Sequence, residues 1–165
     1  MATGHAPYSG VVIQEGAPFP PYELADQDGN PHSSTDRRGR SLYFFYPKDD
    51  TSGCTAEACN FRDHQAEFAA AGLGVSVFGV SPDPVKSHKK FAEKYQLNFP
   101  LLADTERTLI EPLGLWVEKT LYGRKYMGVD RTTVLVDADG NIEKVWRKVK
   151  PENHAVEVLE FLKAT

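Results

Sequence analysis

Cysteine is scarce in this sequence, with two among 165 residues, and both fall in YPKDDTSGCTAEAC, the segment from Tyr46 to Cys59. So few cysteines exclude a disulfide-stapled scaffold, and 41% hydrophobic residues suffice for one globular domain with its own core. Long hydrophobic runs are missing: nothing approaches the roughly 18 apolar residues that a membrane-spanning helix needs. An excess of one charge is missing too. Nineteen basic residues stand interspersed among 23 acidic ones, and the net charge of -4 offers no footprint for nucleic acid or a membrane surface. There is no internal repeat, no low-complexity block and no glycine-rich phosphate loop. The opening MATGHAPYSG has neither a basic leader nor an apolar stretch. It reads as a loose tail, about residues 1–10, on a single domain spanning 1–165 of a cytoplasmic protein.

What is present alternates between short apolar runs and amphipathic segments. Ser41 to Tyr46, Val75 to Val80 and Thr132 to Val136 are short, largely apolar, β-rich runs, as expected of strands buried on both faces, and Phe99 to Leu102 suggests a shorter one. Helical patterns run from Cys54 to Ala71, from Pro84 to Tyr95 with Asp83 as N-cap, and from Pro151 to Lys163. Asp28-Gly29 and Asp139-Gly140 each separate strand-like segments, and such pairs supply the positive φ angles of tight hairpins. Strands alternating with helices predict an α/β architecture, a mixed sheet with helices on its two faces.

In a reducing cytosol, two close cysteines point to catalysis, redox sensing or metal rather than to a permanent bridge. Thr51 is the expected N-cap of the helix, which places Cys54 at the third helical position. There the free backbone N–H groups and the helix dipole favour a thiolate, whereas a free cysteine of pKa about 8.5 is only about 3 per cent thiolate at pH 7. An inert, buried cysteine suits the same position. Cys59 shifts the balance, because a sulfenic acid on Cys54 is recovered when a second thiol condenses with it. Zinc needs four ligands, and His32, His64, His88 and His154 are scattered along the chain. An intact helix cannot hold the bond: positions five apart lie roughly 8.7 Å apart at Cα and point about 140° away from each other, beyond the limit of about 6.8 Å for a disulfide.

With these motifs in view, the chain resembles the peroxiredoxins, in particular the peroxiredoxin Q or bacterioferritin comigratory protein group, from about Gly16 onward. Pro47, Thr51 and Cys54 match P-x-x-x-T-x-x-C, Cys59 closes G-C-T-x-E-A-C, and Arg131 opens R-T-T-V-L-V-D. Likeness extends through GVSPDPVKSHKKFAEKY, YGRKYMGVDR and KVWRKVK. The resemblance implies a thioredoxin-like fold with an added N-terminal β-hairpin, a peroxidatic Cys54 and a resolving Cys59. It also implies hydroperoxide substrates, regeneration by thioredoxin or a similar dithiol, and no metal, flavin or nicotinamide cofactor.

Each transferred role has a physical rationale. The Thr51 hydroxyl would bond the peroxide or thiolate, and Pro47 would shape and shield the loop. Arg131 would stabilise charge developing on the peroxide oxygens. Glu57, one turn beyond Cys54, would oppose the thiolate unless it orients an arginine such as Arg131; a solvated surface glutamate fits the pattern as well. Ser52 stands where the group commonly has proline, and Pro112 interrupts a segment that is usually helical. Two other functions share these residues: a peroxide-sensing or holdase module switched by the same disulfide, and a disulfide reductase. The chain is expected to be a monomer, with weak homodimerisation left open.

Overall fold

The fold, taken from a computed structural model, is described for residues 13–36, 38–70 and 72–165. The expected loose tail therefore lies outside the described residues, as does Ala71 at the end of the first expected helix. In chain order, a hairpin of β1 (Glu23–Ala25) and β2 (Pro31–Ser33) precedes β3 (Arg40–Phe45), α1 (Ser52–Asp63), α2 (Gln65–Ala69), β4 (Val75–Ser81) and α3 (Val85–Tyr95). Then come β5 (Leu101–Ala103), a second hairpin of β6 (Trp116–Leu121) and β7 (Arg124–Val129), β8 (Thr132–Val136), β9 (Ile142–Arg147) and α4 (His154–Lys163).

The central sheet has five strands in the order β5-β4-β3-β8-β9. β3 and β4 are parallel, as are β4 and β5, while β8 runs antiparallel to both β3 and β9. The expected mixed sheet and N-terminal hairpin are both present. Pleating sends alternate residues of β3 to opposite faces. Leu42, Phe44 and Tyr46 join Cys54, Phe61, Phe68, Phe91 and Leu159 in one core cluster, whereas Tyr43 and Phe45 join Phe19, Tyr22, Val80, Leu109 and Val134 in the other. Gly79 must be glycine, because a Cβ there would stand 2.8 Å from Leu101 Cδ2 and 2.9 Å from Phe44 Cζ.

Several local expectations change. The buried apolar residues of all the α-helices fall in the first cluster. The second face is covered instead by the N-terminal hairpin and by turns around Leu109 to Leu115. Pro112 has no N–H to continue a helix there, and the Asp104 carboxylate accepts the N–H groups of Thr108, Leu109 and Ile110 at 2.6–2.9 Å. The first expected helix divides at His64. Its ring nitrogen Nδ1 lies 2.8 Å from the Asn60 carbonyl, and its own N–H turns to the Phe61 carbonyl. The N-cap of α3 is Pro84, not Asp83, whose carboxylate accepts from Ser81 Oγ and the Asp49 N–H instead. In the Asp-Gly turns only Gly29 and Gly140 take positive φ. The neighbouring Asp26 and Asp137 carboxylates hold those turns through backbone N–H groups. No helix among the described residues is long and apolar enough to cross a membrane.

Candidate active site

The antiparallel register pairs Phe45 with Thr132, so Tyr46 and Arg131 leave the sheet at the same end. From there the chain turns through Pro47 to Asp50 into α1. The turn is tied on both sides. Tyr46 O–H donates to Asp49 Oδ1 at 2.6 Å, Ser87 Oγ donates to Asp49 Oδ2 at 2.7 Å, and His88 Nδ1 meets the same oxygen at 2.7 Å. The other ring nitrogen of His88 faces the Leu102 carbonyl at 3.0 Å, an acceptor only, so Nε2 carries a proton. Burial, reinforced by Asp49, pushes the Tyr46 phenol well up, keeping it a neutral donor. Asp50 sits at φ 58°, unusual for a non-glycine, and Lys94 and Tyr95 of α3 hold its carboxylate at 2.9 and 2.8 Å.

Thr51 is the N-cap of α1, and Cys54 is its third residue, 1% exposed. The first turn-closing bond runs from the Thr55 N–H to the Thr51 carbonyl at 2.8 Å. The N–H groups of residues 52–54 therefore precede the helical ladder, at the electropositive end of the helix. Arg131, just before β8, reaches this turn: Nη2 donates to Cys54 Sγ at 3.2 Å and Nη1 donates to Glu57 Oε1 at 2.6 Å.

Glu57 follows Cys54 by three positions, hence on the same side of α1, and is completely buried, not a solvated surface residue. Burial pushes its carboxyl up to about 7, while the Arg131 charge and hydrogen bond pull the other way. Its second oxygen, Oε2, is buried without a hydrogen-bond partner, which adds to the cost of the charged form. For Arg131, burial disfavours the charge, but Glu57 and Cys54 outweigh it and hold the pKa above its ordinary value. Fixing one guanidinium nitrogen on a buried carboxylate aims the other at sulfur.

The remaining sequence candidates lie around this centre. Thr51 Oγ1 donates to the Lys48 carbonyl at 3.0 Å rather than capping α1, so toward the site it is an acceptor. Pro47 is half-buried in the bend after Tyr46. Cys59 is free and half-buried in α1, and Cys54 is free as well. The helix holding both thiols is continuous from Ser52 to Asp63.

Other contributors escaped sequence reading. A Cβ on Gly53 would stand 3.3 Å from Arg131 Nη2 and 3.6 Å from Pro151 Cγ, so glycine here makes room for the arginine. Lys119 on β6 is close enough to Cys54 and Arg131 for their charges to act on it; burial chiefly lowers its pKa. The cluster of Asp49, Asp83 and His88 has metal-ligating residue types, but its groups are engaged with one another, Ser81 and Ser87. No sequence spacing brings these distant residues together.

Residues 16–145 match the AhpC/TSA family. A putative peroxiredoxin bcp of Coxiella burnetii is 45% identical over 150 residues, 90% of this chain and 98% of that protein. Peroxiredoxin Bcp of Bacillus subtilis is 43% identical over 154 residues, 93% of this chain and 97% of its own length. Among solved structures, a PrxQ cysteine mutant from Xylella fastidiosa superposes with a TM-score of 0.87 at 32% identity, covering 94% of this chain and 98% of that one. The bacterioferritin comigratory protein of Xanthomonas campestris, studied for its alkyl peroxide reduction activity, gives 0.80 at 36% identity over 87% and 90% of the two chains.

Proposed function

We propose, on the premise that this chain belongs to the AhpC/TSA family and to its Bcp/peroxiredoxin Q group, that Cys54 is the peroxidatic nucleophile and Cys59 the resolving thiol. The protein is a thiol-dependent peroxidase, with hydroperoxides as substrates and a thiol as reductant. Supporting the assignment of Cys54 above all is the 3.2 Å contact between Arg131 Nη2 and Cys54 Sγ within the first turn of α1.

The Cys54 thiolate attacks the terminal oxygen of the hydroperoxide. The O–O bond breaks, sulfur is oxidised to sulfenic acid, and the leaving oxygen departs as water or alcohol after taking a proton. Arg131 stabilises the negative charge that builds on the peroxide oxygens, and Glu57 keeps it aimed. Thr51, its own proton committed to the Lys48 carbonyl, accepts a hydrogen bond from the peroxide O–H, while Pro47 shapes the loop that leads into α1. Cys59 then displaces hydroxide from the Cys54 sulfenic acid, and with a proton this leaves as water. A dithiol, thioredoxin or a similar protein, reduces the disulfide by thiol–disulfide exchange. Such a reducible pair suits the cytoplasm, and a monomer carries every group the cycle uses.

The test is a peroxide-dependent assay coupled to thioredoxin, its reductase and NADPH. Cys54→Ser should be inactive. Cys59→Ser should consume one equivalent of peroxide, accumulate a dimedone-trappable sulfenic acid and fail to turn over with thioredoxin. Wild-type turnover in Cys54→Ser would remove Cys54 from its role. A wild type that oxidises once and then stalls would favour a sensor.

A further inference from the structure

Among the described residues, the large apolar side chains standing in solvent are Leu121, Tyr122, Tyr126 and Met127, at 54, 94, 47 and 48% exposure. All four belong to the β6–β7 hairpin or its turn, and β6 and β7 pair only with each other. Scattered exposed leucines mean little, but a cluster confined to one projecting element marks a contact surface. Its charge differs from that of the whole chain. The register puts Leu121 and Tyr126 on one face with the cations Lys119 and Arg124 and no acid, and Met127 on the other with Glu118 and Lys125, in a protein of net charge -4.

The hairpin is rooted in the active site. At its base the Asp130 N–H donates to the Leu115 carbonyl at 2.8 Å, Val129 is fully buried, and the Arg107 guanidinium stacks 4.6 Å from the Trp116 ring centre. The next residue after Asp130 is Arg131, which contacts Cys54 Sγ. Along the hairpin, Lys119 pairs with Tyr126 and Leu121 with Arg124, and Lys119 lies within electrostatic reach of Cys54 and Arg131. Strands of six residues extend roughly 20 Å from that root. A protein interface of standard size buries about 800 Å² per partner, a disc roughly 32 Å across. An interface of that width with the cysteines toward one margin spans the hairpin to its tip, whereas one of about 16 Å radius centred over them stops short of it, and a hydroperoxide or a small dithiol does not reach it at all.

We infer that the face of the β6–β7 hairpin carrying Lys119, Leu121, Arg124 and Tyr126, with Tyr122 at its turn, is the docking surface for a thioredoxin-class protein dithiol that reduces the Cys54–Cys59 disulfide, one presenting apolar groups with acidic residues at their edge. This rests on the cysteine roles proposed above. Chemically, a thiolate of the partner attacks one sulfur of the disulfide and expels the other as a thiolate. The partner's second thiol then displaces the mixed disulfide, leaving two reduced cysteines here and one disulfide on the partner. Docking on the hairpin holds the attacking sulfur near its target through these steps. Tyrosine and arginine, both at the tip as Tyr122 and Arg124, are the residue types that most often dominate such contacts.

The test uses the full chain carrying Tyr122→Asn with Arg124→Glu, two exposed positions outside the catalytic groups; asparagine tolerates the positive φ of 52° at Tyr122. Circular dichroism checks that the variant keeps its fold. At saturating hydrogen peroxide, kcat/KM for thioredoxin should fall at least tenfold, while turnover supported by dithiothreitol and the stopped-flow rate of Cys54 oxidation stay within twofold. Raised ionic strength should slow the thioredoxin reaction of the wild type more than that of the variant. An unchanged kcat/KM for thioredoxin would overturn the docking surface. So would an equal fall with dithiothreitol, or a wild-type dimer that the variant splits without loss of thioredoxin turnover. Variant-sensitive binding to anionic vesicles with thioredoxin turnover intact would also reject it in favour of a membrane. Failure of the cysteine roles is separately visible, as wild-type protein that dithiothreitol cannot cycle with peroxide.

Discussion

Closing the Cys54–Cys59 disulfide must open the first half of α1, and the amount of opening follows from the helix itself. In the reduced form both cysteines sit in one continuous helix, Ser52–Asp63. Five helical positions separate the Cα atoms by roughly 8.7 Å and the side chains by about 140°. A disulfide accepts at most about 6.8 Å, so the Cα atoms must approach by about 2 Å and one side chain must swing across the axis. The far end of α1 is anchored. Phe61 is fully buried, Asn60 Oδ1 accepts the Ala155 N–H at 2.7 Å, and Arg62 Nη1 donates to the Tyr95 carbonyl at 2.7 Å. The upstream loop is held through Asp49 and Asp50. Opening is therefore confined between these anchors, where the carbonyls of residues 51–59 pair with the N–H groups of residues 55–63. On oxidation, amide hydrogen exchange from Thr55 to Asp63 should speed up at least tenfold, equivalent to about 1.4 kcal/mol of lost local stability. Exchange in α4 should barely change. Mass spectrometry of the reduced and disulfide forms gives the readout. Equal protection in both, with the bond confirmed by mass, would refute the reasoning.

Other expectations follow from single residues. Glu57 is pushed from 4.5 up to about 7 by burial, so the folded state holds its proton more tightly than the unfolded chain. Its contribution to stability is full below about pH 4.5 and declines as pH rises to about 7, by roughly 3 kcal/mol; urea unfolding should show that slope in wild type and lose it in Glu57→Gln. Gly53→Ala puts a methyl 3.3 Å from Arg131 Nη2 and should slow Cys54 oxidation several-fold while leaving the melting temperature within a few degrees, as read by stopped flow and calorimetry. Gly79→Ala drives a methyl to 2.8 Å from Leu101 and should cost about 1–3 kcal/mol in chemical unfolding.

The strands were legible because Leu42 to Phe45 of β3 and Val134 to Val136 of β8 are unbroken apolar runs, and the active helix because a polar loop precedes it. Thr51 and Cys54 occupy the expected cap and third positions. Glu57 shows where local reasoning reaches its limit. Proximity in sequence says that a carboxylate beside a thiolate needs a cation, but only the β3–β8 register brings Arg131 to it. The break at His64 depends on a ring nitrogen taking a backbone carbonyl, which no periodicity records. Asp83 looked like a cap because of Pro84, yet tertiary partners Ser81 and Asp49 claimed its carboxylate. Lys119, Gly53 and the pairing of Asp49 with His88 arise from chain segments meeting in space, so nothing local could announce them.

The central claim is that Arg131 activates the reaction of Cys54 with peroxide, and it is tested most directly by the second-order rate of Cys54 oxidation. Stopped-flow measurements on reduced wild type and Arg131→Met, with hydrogen peroxide in excess, isolate that step from disulfide reduction. Losing the guanidinium donor 3.2 Å from sulfur removes stabilisation of charge at the reacting atoms. The rate constant should fall by about 10²–10³, the magnitude typical of losing one preorganised donor. Reduction of the preformed disulfide by dithiothreitol should remain within twofold. Oxidation of Arg131→Met at the wild-type rate, with the variant folded, would contradict the account.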